Sequence, residues 1–129
     1  MLVVGLGCQR GCPASTLRVL LDETLQAHGI ELHRVRALAS IDLKRDEPGL
    51  LELARQLALP LTCFSVEQLA GYEQRLSHRS EIAFQRTGCY GIAESAALAL
   101  ADQLGTTPAT LLITRQKGPK STLALAVVA

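Results

Sequence analysis

The sequence predicts an α/β fold: three layers, α/β/α, built on a mostly parallel five-stranded sheet. Three observations carry this expectation. Short apolar runs alternate with helix-period segments along the chain, the pattern of βαβ units. The length, 129 residues, is that of one domain. The composition, 48% apolar and 19% charged, suits a packed core rather than a disordered chain. Right-handed crossovers favour strand order 3-2-1-4-5, with strand 5 antiparallel at the edge. No repeat, low-complexity tract or linker interrupts residues 1–129, so a single domain is expected.

The elements follow in order. Leu2–Leu6 is a short apolar run closed by Gly5 and Gly7, a buried strand. Pro13 suits the first turn of a helix, and Leu17, Leu20, Leu21 and Leu25 give that helix an apolar stripe ending near Gly29. Val35–Ile41 is the second strand. A polar loop, Asp42–Gly49, leads into a second helix with Asp46 or Glu47 near its cap and Pro48 in its first turn. Its buried face is Leu50, Leu51, Ala54, Leu57 and Ala58, and Pro60 stops it. Leu61–Phe64 is the third strand, and Ser65 with Gln68 forms a capping-box pair for a short helix. Gly71–Ser80 is polar and without period, a loop. Glu81–Arg86 reads as another short helix. Ile92, Ala93, Ala96, Leu100 and Leu104 define an Ala-rich helix ending at Gly105. Thr110–Thr114 and Thr122–Val128 are the last two strands, joined by Gln116–Ser121 with the turn signal Gly118-Pro119.

Charge and composition exclude several function classes. Lys plus Arg is 13 and Asp plus Glu is 12, a net charge of +1, without the basic excess of a nucleic-acid binder. Aromatics are 3% and there is no Trp, so no stacking platform is expected. No run approaches the roughly 18 apolar residues of a membrane span. Leu2–Leu6 lacks a basic flank and is too short for a signal peptide. A cytoplasmic protein is expected, with Cys8, Cys12, Cys63 and Cys89 as thiols.

Order 3-2-1-4-5 reverses direction between strands 1 and 4. Ligands of open α/β sheets bind beyond the carboxyl ends of the strands at such a switch. Two loops should meet there, Gly7–Ala14 and Arg115–Lys120, with Asp42–Asp46 on the same rim. The first loop holds Arg10 and no acid; the second holds Arg115, Lys117 and Lys120 and no acid. The first also opens a helix, whose free N–H groups favour anions. The expectation is a rim that grips carboxylates or phosphates, with Arg10 and Lys117 brought together. Solvated surface lysines are the competing reading.

Other motifs are weighed against ordinary structure. Gly5-x-Gly7-x3-Gly11 departs from the dinucleotide spacing, Asp42 after the next strand comes too late and Asp22 and Glu23 lie within the first helix, so tight turns explain these glycines better. Cys8 before a helix start and near Arg10 is a setting that lowers a thiol pKa, which makes a nucleophile conceivable. Cys63 lies in an apolar strand, against a zinc site; Cys63 and Cys89 read as small buried hydrophobes. Asp42 could act as a general base if it faces the cleft, or pair with Lys44. Ser40 could bond a ligand or its own backbone. Glu94 complements the helix dipole. The three histidines show no ligand spacing, and no cofactor or metal is implied.

Several segments together resemble a known family: Gly5-Leu6-Gly7-Cys8-Gln9-Arg10-Gly11, Leu38-Ala39-Ser40-Ile41-Asp42-Leu43-Lys44, Asp46-Glu47-Pro48-Gly49-Leu50, Phe64-Ser65, Gly91–Ala97 and Gln116-Lys117. They look like the CobE / CbiG C-terminal domain family of cobalamin biosynthesis, over nearly the whole chain. Arg115 stands where that family often has Lys. The resemblance implies a precorrin or corrin tetrapyrrole as ligand, a ring fringed with acetate and propionate carboxylates. It implies substrate contacts at Gly7, Cys8, Arg10, Gly11, Ser40, Asp42, Lys44, Ser65, Gln116 and Lys117. Full-length CbiG relatives open a δ-lactone on a cobalt-precorrin and release acetaldehyde, and they carry additional N-terminal domains. Three functions follow as expectations: a tetrapyrrole-binding module, a hydrolase with Asp42 as base and Cys8 or a water as nucleophile, or a docking partner of another pathway enzyme.

Overall fold

β1 (Leu2–Cys8) is buried along its whole length, which fixes it at the centre of the sheet. The computed structural model describes residues 1–129. β1 is followed by α1 (Ala14–Ala27), β2 (Val35–Ile41), α2 (Pro48–Leu57), β3 (Leu61–Phe64), α3 (Val66–Ala70), α4 (Glu81–Thr87), α5 (Ile92–Leu104), β4 (Thr110–Gly118) and β5 (Ser121–Val127). Single 3-10 turns occupy Leu32–Arg34, Asp42–Lys44 and Glu73–Arg75. No helix is long and apolar enough to cross a membrane.

The strand period of two sorts the core into two halves. Leu2, Val4 and Leu6 pack with Leu17, Leu21 and Leu25 of α1 and Leu50 and Leu53 of α2. Val3, Ala37, Ala39 and Ala126 pack with Ala96, Ala97 and Leu100 of α5 and Leu69 of α3. The three-layer α/β class is therefore as expected. On the α5 side the contact is between small residues, so helix and sheet approach closely. A Cβ built on Gly5 would stand 1.9 Å from the Ala93 carbonyl oxygen, so only glycine fits there.

Strand order corrects the expectation. The sheet runs β3-β2-β1-β5-β4. β1, β2 and β3 pair in parallel, and β5 is antiparallel to both neighbours, as expected of strand 5. It lies inside the sheet, however, and β4 takes the edge. The physical reason is the burial each strand demands. Leu123, Ala124, Leu125 and Ala126 are all fully buried, so β5 needs cover on both faces and a neighbour on both sides. β4 buries only Ile113 of its 9 residues, leaves Leu112 46% exposed and has two register irregularities, as an edge tolerates. β4 also continues through Arg115–Gly118, so the hairpin turn shrinks to Pro119-Lys120, with Lys120 at φ +56°.

The chain ends meet. Leu2 pairs with Val127, and the Val128 N–H donates to the Met1 carbonyl at 3.1 Å. This is the amino end of β1, opposite the rim considered next.

Candidate functional site

A cavity of about 570 Å³ opens at the carboxyl end of β1. Inserting β5 beside β1 keeps the hairpin tip at this rim, because Cys8 pairs with Ser121. The Gln9 N–H donates to the Lys120 carbonyl at 2.8 Å and ties the first loop to the hairpin. Arg10 and Lys117 consequently line one cavity, together with Arg115 and Lys120. The 3-10 turn after β2 adds Lys44, and α4 adds Arg86. Six of the chain's 13 basic residues face this space, against one of its 12 acids, Glu94. The excess of positive charge is thus local in a nearly neutral chain.

The single acid is already occupied. Glu94, in the first turn of α5, is 1% exposed. Its carboxylate accepts hydrogen bonds from the Ser77 N–H (2.8 Å), the Arg115 N–H (2.8 Å), the His78 N–H (3.3 Å) and the Ser77 hydroxyl. Burial pushes its pKa up, but the donors of Ser77, Arg115 and His78 outweigh that and hold it below the ordinary glutamate value. Glu94 is thus ionised and offsets one of the six positive charges, leaving an excess of cations, none of which forms a salt bridge with an acid. Arg115 Nε is buried with no hydrogen-bond partner, a donor left for something else. Apolar side chains share the lining: Leu43 and Ile82 are 63% and 65% exposed. Tyr90 is held by the Phe84 ring stacked at 4.4 Å and the Arg79 guanidinium at 4.4 Å.

Of the ten residues expected to contact substrate, Gly7, Cys8, Arg10, Lys44 and Lys117 line this cavity. The others do not. Ser40 is fully buried and its hydroxyl donates to the Leu6 carbonyl at 2.7 Å. Asp42 opens the 3-10 turn, exposed and outside the lining. The Gly11 N–H donates to Glu47 Oε1 at 2.7 Å, and Gly11 borders a smaller groove. Ser65 caps α3: its hydroxyl accepts from the Gln68 N–H at 3.1 Å, and the Gln68 side chain accepts from the Ser65 N–H at 2.9 Å. The Gln116 amide donates to the Thr114 carbonyl at 3.0 Å.

The expected lowering of the Cys8 pKa is also corrected. Burial pushes its thiol up to about 11, with Cys12 and Glu47 adding to the rise and Lys44 only partly opposing it. All four cysteines are free, and no three His, Cys, Asp or Glu side chains converge as metal ligands. Sequence reasoning passed over Arg86, Ile82 and Leu43. Ile82 and Arg86 are spaced i, i+4, which puts both on one face of α4.

Fold and cavity together define an α/β domain with a cation-lined cleft at the carboxyl ends of its strands. Residues 2–126 match the family described as Cobalamin synthesis G C-terminus, and the chain belongs to this cobalamin-biosynthesis family. Protein CobE of Sinorhizobium sp is 36% identical over 125 residues, covering 97% of this chain and 79% of that protein. A cobalt-precorrin-5A hydrolase of Priestia megaterium is 30% identical over 128 residues, covering 99% of this chain and 32% of the hydrolase. The chain thus spans about a third of that relative. The crystal structure of CobE, a protein from the cobalamin (vitamin B12) biosynthetic pathway, matches with a TM-score of 0.93 at 48% identity, covering 98% of this chain and 89% of that one. The family resemblance read from the motifs is borne out.

Proposed function

We propose that this domain binds a precorrin or corrin intermediate and holds its peripheral carboxylates against the cationic rim. One observation carries the reading: six basic side chains surround a single cavity whose only acid is saturated with donors. A carboxylate-fringed ring complements such a rim through charge-assisted hydrogen bonds. The exposed apolar side chains of Leu43 and Ile82 offer contact to the ring itself. At about 570 Å³ the cavity falls in the usual range for small-molecule sites. The free thiols go with a reducing, cytoplasmic setting.

A second reading, lactone hydrolysis, is favoured by the relative named cobalt-precorrin-5A hydrolase. The geometry of this chain supports it less. Asp42 is outside the cavity, and Cys8 is a thiol held far from its thiolate form at neutral pH. Binding without turnover is therefore the better reading, with delivery to another pathway enzyme as its natural extension.

The test is an absorbance titration of the protein with a panel of pathway tetrapyrrole acids, watched for both binding and conversion. Arg10→Ala and Lys117→Ala should each weaken binding by about 1–3 kcal/mol, the worth of a hydrogen bond to a charged group. Unchanged affinity in both variants rejects the rim. Release of product from the lactone intermediate, lost in Asp42→Asn, replaces the binding reading with the hydrolase.

A further inference from the structure

We propose that Glu94 is the positioning residue of the cavity: it fastens the flap that carries α4 and sets the β4 backbone that presents Arg115. The proposal rests on the binding function proposed above for the cavity, but its geometry stands independently.

The flap is the segment from Ser77 to Tyr90. No residue of α4 is buried, and Ile82 and Phe84 are 65% and 39% exposed. A helix of seven residues does not hold itself in place by its own hydrogen bonds. Its internal supports are local: the Ser80 hydroxyl caps it, the Ser80 N–H donates to the Tyr90 carbonyl at 2.8 Å, and Phe84 stacks on Tyr90. Two attachments tie it to the rest of the fold: the buried Cys89 behind α4, whose Sγ lies 3.4 Å from the Ser95 hydroxyl, and the segment that leads into α4. Arg75 Nη1 donates to Asp102 at 2.7 Å and Nη2 to the Ala109 carbonyl at 2.6 Å. Ser77 and His78 then donate to Glu94. Glu94 is the last fastening before α4, and it lines the cavity that α4 walls.

The same carboxylate acts on β4. The β4–β5 register slips between Ile113 and Gln116, so Arg115 lies in an irregular stretch of the edge strand. There its N–H goes to Glu94 at 2.8 Å. One side chain thus determines both the flap and the backbone of a cavity-lining arginine. The residue type is specific to the task. All four partners are donors, and a carboxylate is acceptor-only. A glutamine would set its own NH₂ against them.

The test is Glu94→Gln, read by amide hydrogen exchange and by binding of an octacarboxylic porphyrin. Exchange should accelerate at least about tenfold across residues 77–90 and at the Arg115 amide, with β1 and α1 unchanged. Arg115→Met should cost clearly fewer fold in affinity in the Glu94→Gln background than in the wild type, while Lys44→Ala costs the same in both. A general loss of stability would not produce that pairwise coupling. Unaltered exchange at residues 77–90 overturns the proposal, as does an Arg115→Met effect that is identical in both backgrounds. If the wild type binds no porphyrin, the function proposed above fails, and exchange alone decides the role of Glu94. Should Glu94→Gln not fold, Ser77→Ala removes one of the four donors and must still speed exchange of the flap; no change overturns the proposal.

Discussion

Replacing Gly5 with alanine probes the contact on which the placement of α5, and with it one wall of the cavity, depends. The added Cβ would lie 1.9 Å from the Ala93 carbonyl oxygen and 2.7 Å from the Ala97 nitrogen, both backbone atoms that no rotamer change can move. Ordinary contact needs about 3.5 Å, so α5 would have to retreat by roughly 1.5 Å. A gap of half to one ångström already forfeits a quarter to a half of each dispersion contact. Ala96, Ala97 and Leu100 would all lose theirs with the sheet. Overpacking of a core costs about 1–3 kcal/mol where side chains can adjust, so a clash between backbones should cost about 3 kcal/mol or more. For a chain of this size that lowers Tm by about 10 °C. Far-UV circular dichroism on heating measures it, with Gly11→Ala as the comparison. Gly11 has φ +81° but nothing within 4 Å, so its variant suffers only the left-handed strain of about 1–2 kcal/mol. A Gly5→Ala protein melting within about 2 °C of the wild type would refute the argument.

Three further outcomes are expected. Leu125→Ala, on the interior strand, should destabilise by about 2–5 kcal/mol, whereas Leu112→Ala on the edge should cost less than about 1 kcal/mol; equal denaturant midpoints would contradict the strand order. Alkylation of Cys8 should be slow at neutral pH and rise only as the pH nears its pKa of about 11; fast labelling near neutrality would show the thiol is not buried as described. Glu94 and Asp102 are both held below their ordinary pKa values, so each adds stability above the ordinary carboxyl range, and that stability is lost as pH falls through the native value. Glu94→Gln should flatten the acid limb of a stability–pH curve and lower the neutral plateau by about 2 kcal/mol; an unchanged acid limb would count against a charged Glu94.

Much of the fold was legible because local signals and tertiary demands agree. The Ser65–Gln68 capping box, Pro48 at the start of α2 and the Ala-rich α5 stand where the sequence puts them. The order of the last two strands did not follow, although a clue was present. Leu123-Ala124-Leu125-Ala126 is apolar on both faces, whereas Thr114-Arg115-Gln116-Lys117 cannot be buried on both sides. Crossover rules favour the simplest connection and take no account of which strand needs more cover. Charge in the loops singled out Arg10 and Lys117, and they line one cavity because the carboxyl ends of the parallel strands gather at one rim. Ser40 and Ser65 lie outside that cavity with their hydroxyls bonded to backbone groups, a choice between backbone and ligand that only the folded register decides. Glu94 was seen only as a dipole partner. Its donors come from residues 17 and 21 positions away in sequence, which no local pattern reveals.

The neighbouring chain ends have a practical consequence. Because Met1 and Val128 are joined by a backbone hydrogen bond at the amino end of β1, a short linker could close the chain into a circle and new ends be cut in an exposed loop. An affinity tag or a surface tether attached at Met1 or Ala129 would point away from the cavity mouth. Immobilised protein should therefore keep its cleft open to solution, so that the proposed tetrapyrrole binding can be assayed on a surface.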